Sequence, residues 1–283
     1  MATMPDRKIV VLGGTGKTGR RVVKGLRERG AKVRAASRSG EVRFDWDDTA
    51  TWEPALAGSD TAYLVDRQDK PGEWDAEAQI RDLTKQAVDL GVRRLVVLQA
   101  RVTDTVGGKS LVAGERAVRE SGAEWTLLRP NWFAQNFDEG VLLDGILAGE
   151  LALPAGSGRE PFVDAEDVAA VAVTALLEDG HGGQVHELSG PRALSFDEAV
   201  GEIARATGRT VRYTPVSHED YVAELVSYDV PEDYAVFVAD LVATIRDGRN
   251  ATPTDTVQRV LGRPPRDFSE FVARAAATGV WKV

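Results

Sequence analysis

The chain has 283 residues, 43% hydrophobic and 28% charged, ordinary values for a globular protein of one large domain or one domain with a smaller lobe. It has no cysteine, which excludes disulfides, thiolate metal sites and thiol nucleophiles. The formal net charge of −9 argues against nucleic acid held on a broad basic face. MATMPDRK carries no apolar leader core, and no run is apolar enough to span a bilayer, so a cytoplasmic location without membrane or nucleic-acid partners is expected.

Ile9, Val10, Val11 and Leu12 form a short, β-branched apolar run, the signature of a buried parallel strand. Gly13, Gly16 and Gly19 follow, with Gly14, Thr15, Lys17 and Thr18 between them. Val22, Val23 and Leu26 then recur on one side of a basic stretch, predicting an amphipathic helix stopped by Gly30. Residues 33–36 read as the next strand. Glycines where a strand turns into a helix inside a βαβ unit make a dinucleotide fingerprint. Gly13 permits the tight turn, Gly16 lets backbone approach a diphosphate, and Gly19 lets the helix pack closely on the sheet. Free N–H groups and the positive dipole end at the helix start favour that diphosphate.

The end of the second strand bears on which nucleotide. Ser37 and Arg38 stand there with no carboxylate at either position. Asp or Glu would hold a free ribose 2′-OH, whereas Arg accommodates the 2′-phosphate of NADP. NADP(H) is therefore the expected cofactor, with Thr15 and Lys17 adding contacts; nearby Glu41 weighs slightly against it. Residues 43–48 predict a short strand running into a loop, with Asp45 and Trp46 either at the adenine end or in a plain turn.

Thr61–Val65 reads as the fourth strand, ending at Asp66, and 75–90 as a helix. Residues 94–100 (RLVVLQA) read as the fifth strand, ending at Gln99 and Ala100. This alternation predicts an α/β fold, a Rossmann-type doubly wound parallel sheet. The ligand crevice then lies at the C-terminal strand ends, where the loops after Leu12, Val65 and Gln99 converge.

Residues 125–129 read as another strand, interrupted by Pro130. Pro130, Asn131, Trp132, Phe133, Asn136 and Phe137 then leave the sheet at the ligand edge. In one reading Pro130, Asn131, Trp132 and Phe133 back the nicotinamide and Asn136 faces the substrate. In the other, aromatics such as Trp132 and Phe137 plug the gap between the sheet and a C-terminal lobe. Further on, Asp164 predicts the N-cap of a helix with Val168, Val171, Ala172, Ala175 and Leu176 on one face. Ser195 and Glu198 predict a capping box, and Ser217 caps a further helix. Tyr234, Phe237, Val238, Leu241, Val242 and Ile245 at helical spacing read as core of the lobe, and a last helix starts near Ser269. Residues 1–155 form the expected dinucleotide-binding domain. Residues 156–283 complete the sheet and form a smaller α+β, substrate-binding lobe.

The sequence also lacks some chemistry. No Tyr has a Lys four residues later, the spacing by which many short-chain dehydrogenases protonate an alkoxide. His181, His186 and His218 form no metal-binding spacing, so no metal is expected. There is no Gly-x-Ser-x-Gly elbow.

The segments GGTGKTG, LRPNWFAQNF, PFVDAEDVA, ELSGPRALSFDEA and GRPPRDFSEFV together resemble the NmrA-like group of atypical short-chain dehydrogenase/reductases. The chain is most similar to the branch holding bacterial NAD(P)H-binding reductases and fungal ergot-alkaloid reductases. The resemblance implies a Rossmann domain whose small lobe closes over the nicotinamide. It also implies members that reduce quinones, azo compounds or iminium ions, and members that only sense the cofactor. Isoflavone-reductase-type relatives place a catalytic Lys at a position that falls here on Leu111, with Lys109 two residues away. Lys109 and Asn136 are the catalytic candidates, and no side chain stands out as a general acid. An NADPH-dependent reductase of a conjugated or C=N acceptor (quinone, imine, iminium or azo) fits, because such acceptors need little protonation help. Trp132, Phe133, Asn136, Phe162 and Tyr221 are expected to shape its small-molecule substrate pocket, in a monomer or homodimer. The alternative is an NADP(H)-binding redox sensor without catalysis.

Overall fold

The apolar run at the start of the chain forms β1 (Lys8–Leu12), and Ile9, Val10, Val11 and Leu12 are all buried. The computed structural model describes residues 7–65, 77–101 and 114–283, and the backbone alone at 76, 105–106 and 109–110. After β1 come α1 (Gly19–Glu28), β2 (Lys32–Ser37), β3 (Val42–Arg43), α2 (Trp52–Leu56), β4 (Thr61–Val65), α3 (Ala76–Asp89) and β5 (Arg94–Leu98). A short antiparallel pair, β6 (Thr105–Val106) and β7 (Lys109–Ser110), precedes α4 (Glu115–Arg119) and β8 (Glu124–Pro130). The second half runs α5 (Leu143–Ala148), β9 (Glu150–Leu153), β10 (Arg159–Glu160), α6 (Ala165–Leu177), β11 (Gln184–Leu188) and β12 (Leu194–Ser195). It continues through α7 (Phe196–Thr207), β13 (Arg212–Pro215), α8 (His218–Ser227), α9 (Glu232–Arg246), α10 (Thr256–Leu261) and α11 (Phe268–Thr278).

Seven strands form one parallel sheet in the order β11-β8-β5-β4-β1-β2-β3. Strands alternate their side chains between faces, so burying both faces requires a continuous apolar run. Ile9 and Val11 join Val22, Leu26, Val168, Ala172 and Val257 beneath α1, α6 and α10. Val10 and Leu12 join Trp52, Leu56, Ile80, Leu83 and Val118 beneath α2, α3 and α4. The strand order reverses between β1 and β4, which opens a crevice at their C-terminal ends.

The lobe holds the parallel pair β9–β13, the antiparallel pair β10–β12 and a third core. Phe137, Phe162, Phe196 and Phe268 fill it with ring centroids 5.2–6.0 Å apart. Asp164 accepts from the Glu166 amide as N-cap of α6, and Ser195 closes a capping box on α7.

Two expectations change, and two short helices go unpredicted. Pro130 ends β8 rather than interrupting it, pairing with Leu188 at the end of the ladder where its missing N–H costs nothing. The short helices α2 and α10, at five and six residues, span too few turns to show a period. The α9 face divides: Val242 and Ile245 enter the lobe core, whereas Phe237, with Tyr234, Val238 and Leu241, forms a separate small cluster on Ala100.

Candidate functional site

The turn after β1 is pinned to β2, because the amides of Gly13 and Gly14 both donate to the Ala36 carbonyl, at 2.8 and 3.0 Å. Gly13 has φ +77°, a conformation glycine adopts without strain. A Cβ on Gly19 would lie 2.1 Å from the Gly13 carbonyl oxygen, so only glycine lets α1 start this close to the turn. The Gly16 amide donates to the Gly13 carbonyl. The amides of Thr15, Lys17, Thr18 and Gly19 have no acceptor among the described residues. Four N–H groups thus gather at the positive end of α1, a cradle that fits an anion such as a diphosphate.

Two flanking side chains hold that loop. The Tyr63 hydroxyl, buried in β4, donates to Thr18 Oγ1 at 2.9 Å, and burial raises its pKa. Val65 lies beside Gly13. At the other edge the Thr15 hydroxyl donates to Ser37 Oγ at 3.0 Å. Arg38 is exposed and makes no hydrogen bond or ion pair among the described residues. Asp45 accepts from Trp52 Nε1 and from the Thr51 hydroxyl, closing a turn, and Trp46 packs edge-on between Phe44 and Trp52.

Lys17 points away from its own loop. Its Nζ donates to Asn136 Oδ1 at 2.5 Å and lies 5.5 Å from the Phe133 ring centroid. Burial lowers its pKa, opposed by Glu139 and Asp138. Burial, with Glu139 alongside, pushes the Asp138 carboxyl up to about 6.

At the other side of the crevice the Gln99 amide donates to the Leu128 carbonyl, and Ala100 packs on Phe237. Arg101 donates to Asn131 Oδ1 and to the Asn250 carbonyl and pairs with Glu187 at 3.2 Å. The Asn131 carboxamide donates to Glu160 Oε1 and to the Asn250 carbonyl, and the Trp132 amide also donates to Glu160. Burial pushes Glu160 up to about 7, against the pull of these donors and of Arg101.

The structure brings Thr15, Gly16, Lys17, Thr18, Ser37, Phe133 and Asn136 together along one edge of the crevice. Other expected site residues are placed differently. Asn131, expected against the nicotinamide, spends its side chain inside the Arg101–Glu160 network. Phe162, expected in the substrate pocket, is 2% exposed inside the aromatic core of the lobe, so packing rather than a ligand takes its ring. Trp132 is half-buried and edge-on to Phe196. Tyr221 lies against the lobe core, and burial raises its pKa. Asp66 and the Lys109 side chain lie outside the described residues. Sequence reasoning missed Tyr63 and Glu160. A Tyr inside the buried run TAYLV was the available signal, since a buried hydroxyl needs a partner.

Among the described residues no three His, Cys, Asp or Glu side chains are placed to hold a metal, and no helix is long and apolar enough to cross a membrane.

Residues 5–272 match the NmrA-like family. The oxidoreductase YesF of Bacillus subtilis is 36% identical, with 98% of this chain and 99% of that protein covered. The NAD(P)H azoreductase of Xenophilus azovorans is 35% identical, covering 96% of this chain and 99% of its own. Among solved structures, the NADPH-dependent quinone oxidoreductase of Escherichia coli complexed with NADPH superposes with a TM-score of 0.80. Identity there is 24%, over 94% of this chain and 99% of that one. The triphenylmethane reductase of Citrobacter sp. gives 0.79 at 24% identity, over 95% and 99%.

Proposed function

The chain belongs to the NmrA-like family, and from that premise we propose that it is an NADPH-dependent reductase passing hydride to a conjugated or C=N-type acceptor: a quinone, an azo compound, an imine or an iminium ion. One observation carries the cofactor half: among the described residues the amides of 15, 17, 18 and 19 and the guanidinium of Arg38 have no partner, and Thr15 is hydrogen-bonded to Ser37, the residue before Arg38. The amides suit a diphosphate. Arg38, with the Thr15–Ser37 hydroxyl pair, suits a ribose 2′-phosphate. Whole-length similarity to a protein named NAD(P)H azoreductase supports the acceptor half.

NADPH, when bound, supplies hydride from its nicotinamide. The chain's part is to hold and orient. Asp45 and Trp46 edge the adenine end, while Gln99, Ala100, Pro130, Trp132 and Phe133 flank the nicotinamide end. Asn136 and Tyr221 face the acceptor. Orientation alone contributes about 7–11 kcal/mol in favourable cases, enough for an acceptor that is already electrophilic.

Titration of purified protein with NADPH and NADH, followed by NADPH oxidation with quinone, azo-dye and cyclic-imine panels, tests this. The expected result is tighter binding of NADPH than NADH and turnover with at least one acceptor class. Uptake of neither nucleotide overturns the proposal. Uptake without turnover, combined with unequal affinities for NADP⁺ and NADPH, identifies a redox sensor instead.

A further inference from the structure

Beside the glycine loop a cavity opens between α1 and the turn that follows β2, walled in part by Thr15, Arg20, Lys24, Arg27, Ser39 and Glu41. Three of these six are cationic, yet each is already matched. Arg20 pairs with Glu139, Lys24 with Glu28 at 3.9 Å, and Arg27 with Glu41. Arg38, next in the chain to the wall residue Ser39, is exposed and unmatched among the described residues.

Glu41 is the residue that does not suit the site. It follows Arg38 by three positions, and a free carboxylate there would repel a phosphate on the adenine ribose. The turn that carries it has little room to move away. The Gly40 amide donates to the Ser37 carbonyl at 3.2 Å, the Phe44 amide donates to the same oxygen at 3.1 Å, and a Cβ on Gly40 would sit 2.8 Å from Ser37 Oγ. The backbone at Glu41 is therefore held at the cavity wall, which keeps its carboxylate close enough for its charge to matter. Arg27, two turns into α1, answers that charge.

We propose that Arg27 is a specificity-determining residue that acts through Glu41: by pairing with this carboxylate and drawing it to α1, it leaves the pocket beside Ser37 and Arg38 acceptable to a ribose 2′-phosphate. The inference rests on the NADPH reading above. A phosphate group carries between one and a half and two negative charges at neutral pH, so an unmasked Glu41 opposes NADPH and not NADH. Both partners are about half exposed, so the effect is screened and salt-dependent.

The test is nucleotide binding, read as Kd for NADPH and NADH by fluorescence titration, with R27A, E41Q and R27A/E41Q at low and high ionic strength. R27A should weaken NADPH about 3–10-fold at low salt, a size set by one screened charge near the surface, and leave NADH unchanged. Adding E41Q should restore the NADPH affinity that R27A lost, and high salt should shrink the difference. An unchanged NADPH-to-NADH ratio in R27A overturns the inference. So does an R27A defect that E41Q fails to repair, because Arg27 would then grip the phosphate itself or serve only the fold. Wild-type protein that takes up no NADPH overturns the cofactor reading as well, which separates the two failures.

Discussion

Lys17 Nζ, on the glycine loop, is hydrogen-bonded to Asn136 Oδ1 on the segment that leaves β8, so one side chain ties the two walls of the crevice together. An anionic diphosphate at the loop would compete with Asn136 for this cation. Both nicotinamide nucleotides carry that diphosphate. K17M should therefore weaken NADPH and NADH by the same factor, about tenfold. R38M, in contrast, removes a partner that only the 2′-phosphate could use and should weaken NADPH alone, by about 10–100-fold. Paired Kd measurements on both variants check this, and a selective K17M defect would place Lys17 at the adenine ribose instead.

Two glycines in helices should respond oppositely to alanine. At Gly19 the new methyl would lie 2.1 Å from the Gly13 carbonyl oxygen and 2.8 Å from its carbon. Both are backbone atoms that cannot rotate away, so G19A should cost about 1–3 kcal/mol and disrupt the four-amide cradle. At Gly201 in α7 the nearest atom is the mobile end of Arg205 at 3.4 Å, so G201A should stabilise by about 0.5–1 kcal/mol through helix propensity alone. Urea unfolding of the two variants against wild type measures both signs.

What could be read from the sequence follows how local each cause is. The β1–α1–β2 unit was legible because a short continuous apolar run gives way to a 3.6-residue period across three glycines whose steric roles are confined to that turn. The caps at Asp164, Ser195 and Ser217 were legible for the same reason, each serving an amide two or three residues ahead. The Tyr63–Thr18 bond spans 45 positions and the Asn131–Glu160 bond 29, and no periodicity announces such a pairing. Phe162 shows the converse problem. An aromatic ring reads alike whether it lines a ligand or packs on Phe137 and Phe196, and only the lobe's assembly decides. The α9 face was misassigned because one helical stripe can serve two clusters in turn.

Asp167 on α6 is fully buried and accepts from Arg263 at 2.7 Å, from Arg266 at 2.5 Å and from the Arg266 amide at 2.6 Å. These bonds fasten the segment before α11 to the helix beneath it. Removing both guanidinium groups strands a buried carboxylate, so R263A/R266A should cost about 2–4 kcal/mol. That lies below the figure for a fully buried pair, because the arginine side chains keep 38% and 33% of their surface in water. D167N, which removes the charge but retains an acceptor for the backbone amide, should cost less than the double variant. Equal costs would mean that packing of the segment, rather than the charge, holds it.

Glu160 gives the molecule a pH dependence of definite sign. The groups facing it, namely the Asn131 carboxamide, the Trp132 amide and Arg101, all favour its charged form, yet burial outweighs them and holds it up to about 7. In the unfolded chain a Glu releases its proton near about 4.3. Between those two values the native state binds more protons than the unfolded state, so this group's contribution falls as pH rises and levels off above about 7. A gap of two to three units corresponds to about 3–4 kcal/mol at most. E160Q keeps an oxygen for Asn131 and Trp132 but titrates nothing. It should flatten the stability profile between about pH 4.5 and 7, and at pH 8 it should be more stable than wild type. Chemical denaturation at pH 5, 6, 7 and 8 reads this directly. A profile for E160Q parallel to that of wild type would assign the pH dependence to another group and leave Glu160 ionised in the folded protein.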